Sequence, residues 1–173
     1  MLENYYFVFA TIDEDLGYTD KVQHEIHLTD DTPMTQPYTQ IPPTQYSEVR
    51  EHIGKLLKKG VIQESSTAYA SPIVLVRKAD GSLRRCVDYR KLNSKTRRDA
   101  FPLLGIDDSF DVLRGAKFLF LTIDLSSGYY QVAMHERNRT ETAFTTPFGL
   151  YDYVRMPFGV CNKPTSRDLS KLL

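Results

Sequence analysis

Asp124 is the residue whose neighbours best equip it for chemistry. It ends Leu119-Phe120-Leu121-Thr122-Ile123, an apolar run of strand character, and Leu125-Ser126-Ser127-Gly128-Tyr129-Tyr130 follows. A lone carboxylate at the mouth of a strand is how metal-dependent phosphoryl-transfer enzymes hold divalent cations. Many strands also end in an aspartate that only caps the next turn, so Asp124 alone leaves both readings open. A second chemical feature is segregated charge. Met1 to Asp31 carries eight acidic residues against one lysine, whereas Arg77 to Arg98 carries nine basic residues against two acidic ones. The formal net charge of zero hides these two blocks. The basic block suits a polyanion partner, or else forms a solvated hairpin with scattered charge.

The elements that must position these groups follow from composition and pattern. An apolar content of 41% with 25% charged residues is globular, and 173 residues suffice for one ordinary domain. No apolar run approaches the roughly 20 residues of a membrane span. Met1-Leu2-Glu3-Asn4 lacks a basic leader, so an intracellular protein is expected. Cys86 and Cys161 stand far apart, which argues against a zinc site or a disulfide framework.

Prolines at 33, 37, 42 and 43 predict an acidic lead-in, residues 1–37, that runs extended over a surface. Within it, His24-Glu25-Ile26-His27 reads as an alternating edge strand. Thr44 is a candidate N-cap for a helix whose apolar face is Tyr46, Val49, Ile53, Leu56 and Leu57 and which Gly60 stops. Asp80-Gly81 between two β-rich runs predicts a hairpin from Ser71 to Arg90 that carries cations near its tip. Lys91-Leu92-Asn93 leads into a polar loop, and Ile106, Phe110 and Leu113 mark a short helix. A second hairpin is predicted around Pro147-Phe148-Gly149. Helices and hairpins segregate, which makes the fold class α+β.

Six segments in order carry a resemblance: Tyr69 to Lys78, Asp80-Gly81-Ser82, Cys86 to Asn93, Thr122 to Tyr129, Thr142-Ala143-Phe144 and Arg155 to Gly159. Together the sequence resembles the reverse transcriptase of gypsy-like long-terminal-repeat retrotransposons. The resemblance implies a right-hand polymerase fold, with fingers and the first half of the palm in residues 38–173. The lead-in would be the segment joining protease to polymerase. Asp124 would be the first metal-binding aspartate, with the carbonyl of Leu125 beside it, for two Mg²⁺ ions. Arg84, with Arg77 or Lys78, would grip the triphosphate; Tyr129 would pack on the incoming sugar; Phe158 and Gly159 would line the nucleotide pocket. Arg85, Arg90, Lys91 and Asn93 are candidate contacts to an RNA or DNA template-primer.

The implied activity is nucleotidyl transfer of a deoxynucleoside triphosphate to a primer 3′-hydroxyl. No Tyr-x-Asp-Asp occurs in the sequence; Asp30-Asp31 and Asp107-Asp108 are its adjacent aspartates. The polypeptide is therefore expected to be inactive alone, with the rest of the palm, the thumb and the ribonuclease H part missing. A non-catalytic nucleic-acid-binding remnant or a functionless relic is the alternative. Asn162-Lys163-Pro164-Thr165-Ser166-Arg167 departs from the family's pattern, as does Leu104, where a second proline is usual. An uncovered apolar face is expected around Phe118, Phe120 and Val132.

Overall fold

A computed structural model of the chain describes residues 16–77, 83–99 and 127–162, with the backbone alone for Arg77 and residues 83–85. Strand β1, Thr19–His24, comes from the lead-in. Helix α1, Tyr46–Lys58, buries Val49, Ile53 and Leu56 on the face that the periodicity predicts. Its start differs from the expected Thr44 cap. Pro42 and Pro43 have φ pre-set for a tight turn, so Pro43–Gln45 form a 3₁₀ turn closed by Gln45 N–H on the Pro42 carbonyl at 2.9 Å. Gln45 then takes the cap position with no side-chain bond.

The end of α1 is set by Gly60. At φ +63 it reverses the chain, its N–H donates to the Leu57 carbonyl, and Val61 N–H donates to the Leu56 carbonyl, each at 3.0 Å. These two bonds are a Schellman motif, and Val61 and Leu56, the residues it links, are both buried in the core.

The chain then builds a mixed sheet. Strands β2 (Ile62–Glu64), β3 (Ser71–Arg77), β4 (Leu83–Val87), β6 (Phe144–Thr146) and β7 (Gly149–Tyr153) lie in the order β2-β7-β6-β3-β4. β3 and β4 pair antiparallel from Ile73↔Val87 to Arg77↔Leu83, which matches the predicted hairpin; its Asp80-Gly81 tip lies outside the described residues. β6 and β7 pair antiparallel to Thr146↔Gly149, so Pro147-Phe148 form a two-residue turn. β3 runs parallel to β6, with Ser71 opposite Phe144.

Two short helices complete the frame. Helix α2, Arg90–Lys95, occupies the stretch read from sequence as the start of a loop, with Leu92 fully buried beneath it. Helix α3, Gly128–Gln131, leads directly into β5, Val132–Met134. β5 pairs in parallel with β1, joining Gln23 to Ala133 and His24 to Met134. On its other side, Met134 N–H donates to the Val154 carbonyl and Met156 N–H to the Val132 carbonyl, each at 2.9 Å.

Flanked on both sides, Val132 is 1% exposed. The expectation that it belongs to an uncovered apolar face is corrected by these two neighbours. Phe118 and Phe120, the 106–113 helix and residues 163–173 lie outside the described residues. Within the described part of the lead-in, Thr19–His24 is extended as β1, and Ile26 and Met34 join the core.

Candidate nucleotide-binding face

Three aromatic rings meet where α3 faces the turn after Met156. Ser127, in the left-handed region at φ +49, turns the chain into α3, and Tyr130 N–H closes on its carbonyl at 2.8 Å. The Tyr129 ring meets the Phe158 ring edge-on with centroids 4.5 Å apart. Tyr130 meets the same Phe158 ring at 5.4 Å and stacks on Tyr153 at 6.5 Å. Such edge-to-face contacts place the positive edge of one ring on the negative face of another. Phe158 is 41% exposed, so one side of this cluster faces solvent. Burial raises the pKa of the Tyr130 phenol and pushes that of Tyr153 well above 10, which keeps both uncharged at neutral pH.

The turn carrying Phe158 and Gly159 rests on helix α2 and its flanks. Gly159 has φ +94, and a Cβ there would lie 3.6 Å from the Tyr89 ring and 3.7 Å from the Val87 carbonyl oxygen. Tyr89 is fixed in turn: its buried hydroxyl donates to the Thr142 carbonyl at 2.7 Å. Thr142 Oγ1 donates to the Arg139 carbonyl at 2.6 Å and accepts Tyr153 N–H at 2.9 Å, which ties this anchor to β7.

The sequence pointed to Tyr129, Phe158 and Gly159, and the fold brings these three together. Tyr89, Thr142 and Arg155 stood in the resembling segments but were given no role there. Arg155 lies over the Tyr18 ring at 4.5 Å and donates to the Tyr130 carbonyl at 3.4 Å, so the lead-in also braces α3. No sequence signal links residues so distant in the chain.

The basic candidates divide. Arg90 donates to both Asp88 oxygens, at 2.9 Å from Nε and 2.6 Å from Nη2, which holds the Asp88 carboxyl below its usual range. Its side chain is still 91% exposed. Lys91 Nζ donates to the Thr35 carbonyl at 3.3 Å. The Asn93 carboxamide is engaged within the protein, donating to the Gly159 carbonyl at 2.7 Å and accepting Cys161 N–H at 2.9 Å. Lys78, Asp124 and Leu125 lie outside the described residues, and only backbone is described for Arg77, Arg84 and Arg85.

A concavity of about 770 Å³ elsewhere on the chain is of mixed charge, with Glu25, Asp31 and Glu141 sharing it with Arg97 and Arg98. Burial raises the pKa of the Glu141 carboxyl, against the pull of its bonds from Asn138. Among the described residues, no group of three or more His, Cys, Asp or Glu side chains is gathered to hold a metal ion. Also among them, no helix is long and apolar enough to cross a membrane.

Residues 76–169, more than half of the chain, match the family described as reverse transcriptase (RNA-dependent DNA polymerase). The retrovirus-related Pol polyprotein from transposon 297 of Drosophila melanogaster is 35% identical over 158 residues, which cover 88% of this chain and 15% of that protein. The corresponding polyprotein from transposon gypsy is 35% identical over 163 residues, with 89% and 15% covered. The chain thus spans about 15% of the length of these relatives.

Among solved structures, the foamy viral protease-reverse transcriptase in complex with RNA/DNA hybrid superposes with a TM-score of 0.78 at 25% identity, covering 99% of this chain and 23% of that one. The selenomethionine-labelled mutant of the prototype foamy virus enzyme, at 24% identity and a TM-score of 0.79, has the same fold. The α+β frame is therefore that of a polymerase's fingers and partial palm, and the described parts of the ordered motifs fall on it. The chain belongs to the reverse transcriptase (RNA-dependent DNA polymerase) family, in the line carried by gypsy-like long-terminal-repeat retrotransposons.

Proposed function

We propose that this chain is the fingers and opening palm of an RNA-directed DNA polymerase and contributes the deoxynucleotide face of its active site. The observation that carries this reading is the aromatic cluster of Tyr129, Tyr130 and Phe158, open on one side and set on a glycine turn beside the basic helix α2. Tyr129 packs against the sugar and leaves no room for a 2′-hydroxyl. Phe158 and the bare backbone of Gly159 take the flat side of the base and sugar. Arg84, with Arg77 or Lys78, holds the triphosphate through charge-assisted bonds. Arg85, Arg90 and Lys91 follow the nucleic-acid backbone by charge rather than by sequence. The 1–37 lead-in joins protease to polymerase, and from Leu16 onward it packs on the polymerase fold.

The two Mg²⁺ ions implied by the family would clamp the attacking and leaving oxygens. Asp124 and the Leu125 carbonyl offer two oxygen ligands, whereas such ions take about six. These residues alone do not fit a complete two-metal site. The 173-residue polypeptide is accordingly inactive in nucleotidyl transfer and competent in binding.

Primer extension on an RNA template tests the inactivity. No product is expected, and product that disappears in Asp124→Asn would overturn it. The exposed guanidinium of Arg90 also favours a second reading, a nucleic-acid-binding module without catalysis. The two readings separate on deoxynucleotide uptake: the polymerase segment takes up a deoxynucleoside triphosphate with Mg²⁺, and a binding remnant takes up nucleic acid alone.

A further inference from the structure

We propose that Asn93 is a positioning residue, whose carboxamide staples the Phe158-Gly159 turn to helix α2 and so sets where the Phe158 ring stands. The proposal rests on the reading of Tyr129, Phe158 and Gly159 as nucleotide-pocket residues.

The geometry is that of a side chain acting as a strand edge. Asn93 Nδ2 donates to the Gly159 carbonyl at 2.7 Å, and its Oδ1 accepts both Cys161 N–H at 2.9 Å and the Cys161 thiol at 3.0 Å. A carboxamide is suited to this because it carries a donor and an acceptor side by side in one plane. Here they meet a carbonyl and an N–H two residues apart. Asn93 itself is held by its place in α2, next to fully buried Leu92. The tie is reinforced one residue further on: Asn162, in the left-handed region at φ +54, donates to the Arg97 carbonyl and accepts Asp99 N–H at 3.0 Å.

The consequence for the pocket follows from what stands on each side of Phe158. Before it, Met156 N–H is bonded to the Val132 carbonyl of β5, the strand that continues from Tyr129 and Tyr130. After it, Gly159 is bonded to Asn93 of α2, the helix that carries Arg90 and Lys91. The ring is thus suspended between two anchors, and its 4.5 Å contact with Tyr129 needs both. With the α2 anchor cut, Gly159 at φ +94 has no side chain to resist rotation. The Phe158 ring then leaves Tyr129, and the wall that excludes a 2′-hydroxyl loosens. Asn93 therefore acts on nucleotide selection without touching the nucleotide.

The test uses the 173-residue chain, with equilibrium dialysis of radiolabelled dCTP and CTP in the presence of Mg²⁺. Loss of three hydrogen bonds that fix one turn should weaken dCTP binding by about tenfold. The preference for dCTP over CTP should also shrink in Asn93→Ala, which a loss of stability alone would not produce. Asn93→Asp keeps the acceptor for Cys161 but turns a second acceptor toward the Gly159 carbonyl in place of the donor, so it should lose dCTP affinity and preference at least as far as alanine. It also carries the test if the alanine variant does not fold. In parallel, the Cys161 thiol of either variant should be alkylated by iodoacetamide at a different rate from wild type, read by peptide mass spectrometry.

Variants with wild-type dCTP affinity and wild-type preference would overturn the proposal. So would a Cys161 alkylation rate unchanged by both substitutions. A wild-type chain that takes up no dCTP would instead remove the pocket reading itself, and this proposal with it.

Discussion

Acidification should loosen the seam between β1 and β5, because His24 enters the interior uncharged. Its side chain sits at 2% exposure opposite Met134, and Nε2 has no hydrogen-bond partner among the described residues. Burial lowers its pKa from 6.5 to about 4; Glu25 opposes the shift and His27 adds to it. The unfolded chain therefore takes up this proton before the folded one does. Stability is unaffected above about pH 6.5, falls as the pH drops between 6.5 and about 4, and levels off below.

At 1.36 kcal/mol per pKa unit the full loss is about 3 kcal/mol, and at pH 5 it is about 2 kcal/mol. Burial raises the pKa values of Glu141 and Asp152, and these groups push in the opposite direction over an overlapping range. The assay must therefore be differential. Urea unfolding of wild type and His24→Gln near pH 7.5 and pH 5 isolates the histidine. Wild type should lose about 2 kcal/mol more than the variant across that interval. Parallel pH profiles for the two proteins would refute the reasoning.

Three further outcomes follow from particular contacts. Gly60→Ala meets no atom within 4 Å of the new Cβ, so its cost is that of φ +63 alone, about 1 kcal/mol. Calorimetry should show a Tm lower by about 2–4 °C, and an unchanged Tm would contradict the Schellman assignment. Tyr89→Phe takes the hydroxyl from the Thr142 carbonyl at a fully buried residue, and should cost about 1–2 kcal/mol in urea unfolding. Arg90→Ala should weaken binding to an RNA/DNA duplex similarly for all sequences and reduce the slope of log K against log salt by about one. An unchanged slope would take Arg90 out of the phosphate-contact set.

The parts of the fold legible in the sequence are those coded by local contacts. Val49, Ile53 and Leu56 repeat at helical spacing and Gly60 ends the helix, so α1 could be read to within a residue or two. The β3–β4 and β6–β7 hairpins join neighbouring segments, and turn residues mark both. Helix α2 escaped because its six residues bury only Leu92 and show no periodicity. The β1–β5 pairing escaped because it joins residues more than a hundred positions apart through a three-residue strand.

The site divides in the same way. Tyr129, Phe158 and Gly159 stood out only through the family resemblance that the ordered motifs carry. Asn93 stood among cations and was read as one more contact to nucleic acid. Its partners, Gly159 and Cys161, lie more than sixty residues downstream, where no local pattern links them. Tyr89 and Thr142 are likewise an anchor made only by folding.

The central claim is that a deoxynucleotide lies on the face of Tyr129, Phe158 and Gly159. Titrating the ¹⁵N,¹³C-labelled chain with dCTP and Mg²⁺, and following amide and aromatic resonances, tests it most directly. Shifts concentrated at Tyr129, Tyr130, Phe158 and Gly159, extending to Asn93 and Cys161, are the predicted result. Shifts confined to the cleft of Glu25, Asp31, Arg97 and Arg98, or none at millimolar nucleotide, would contradict it.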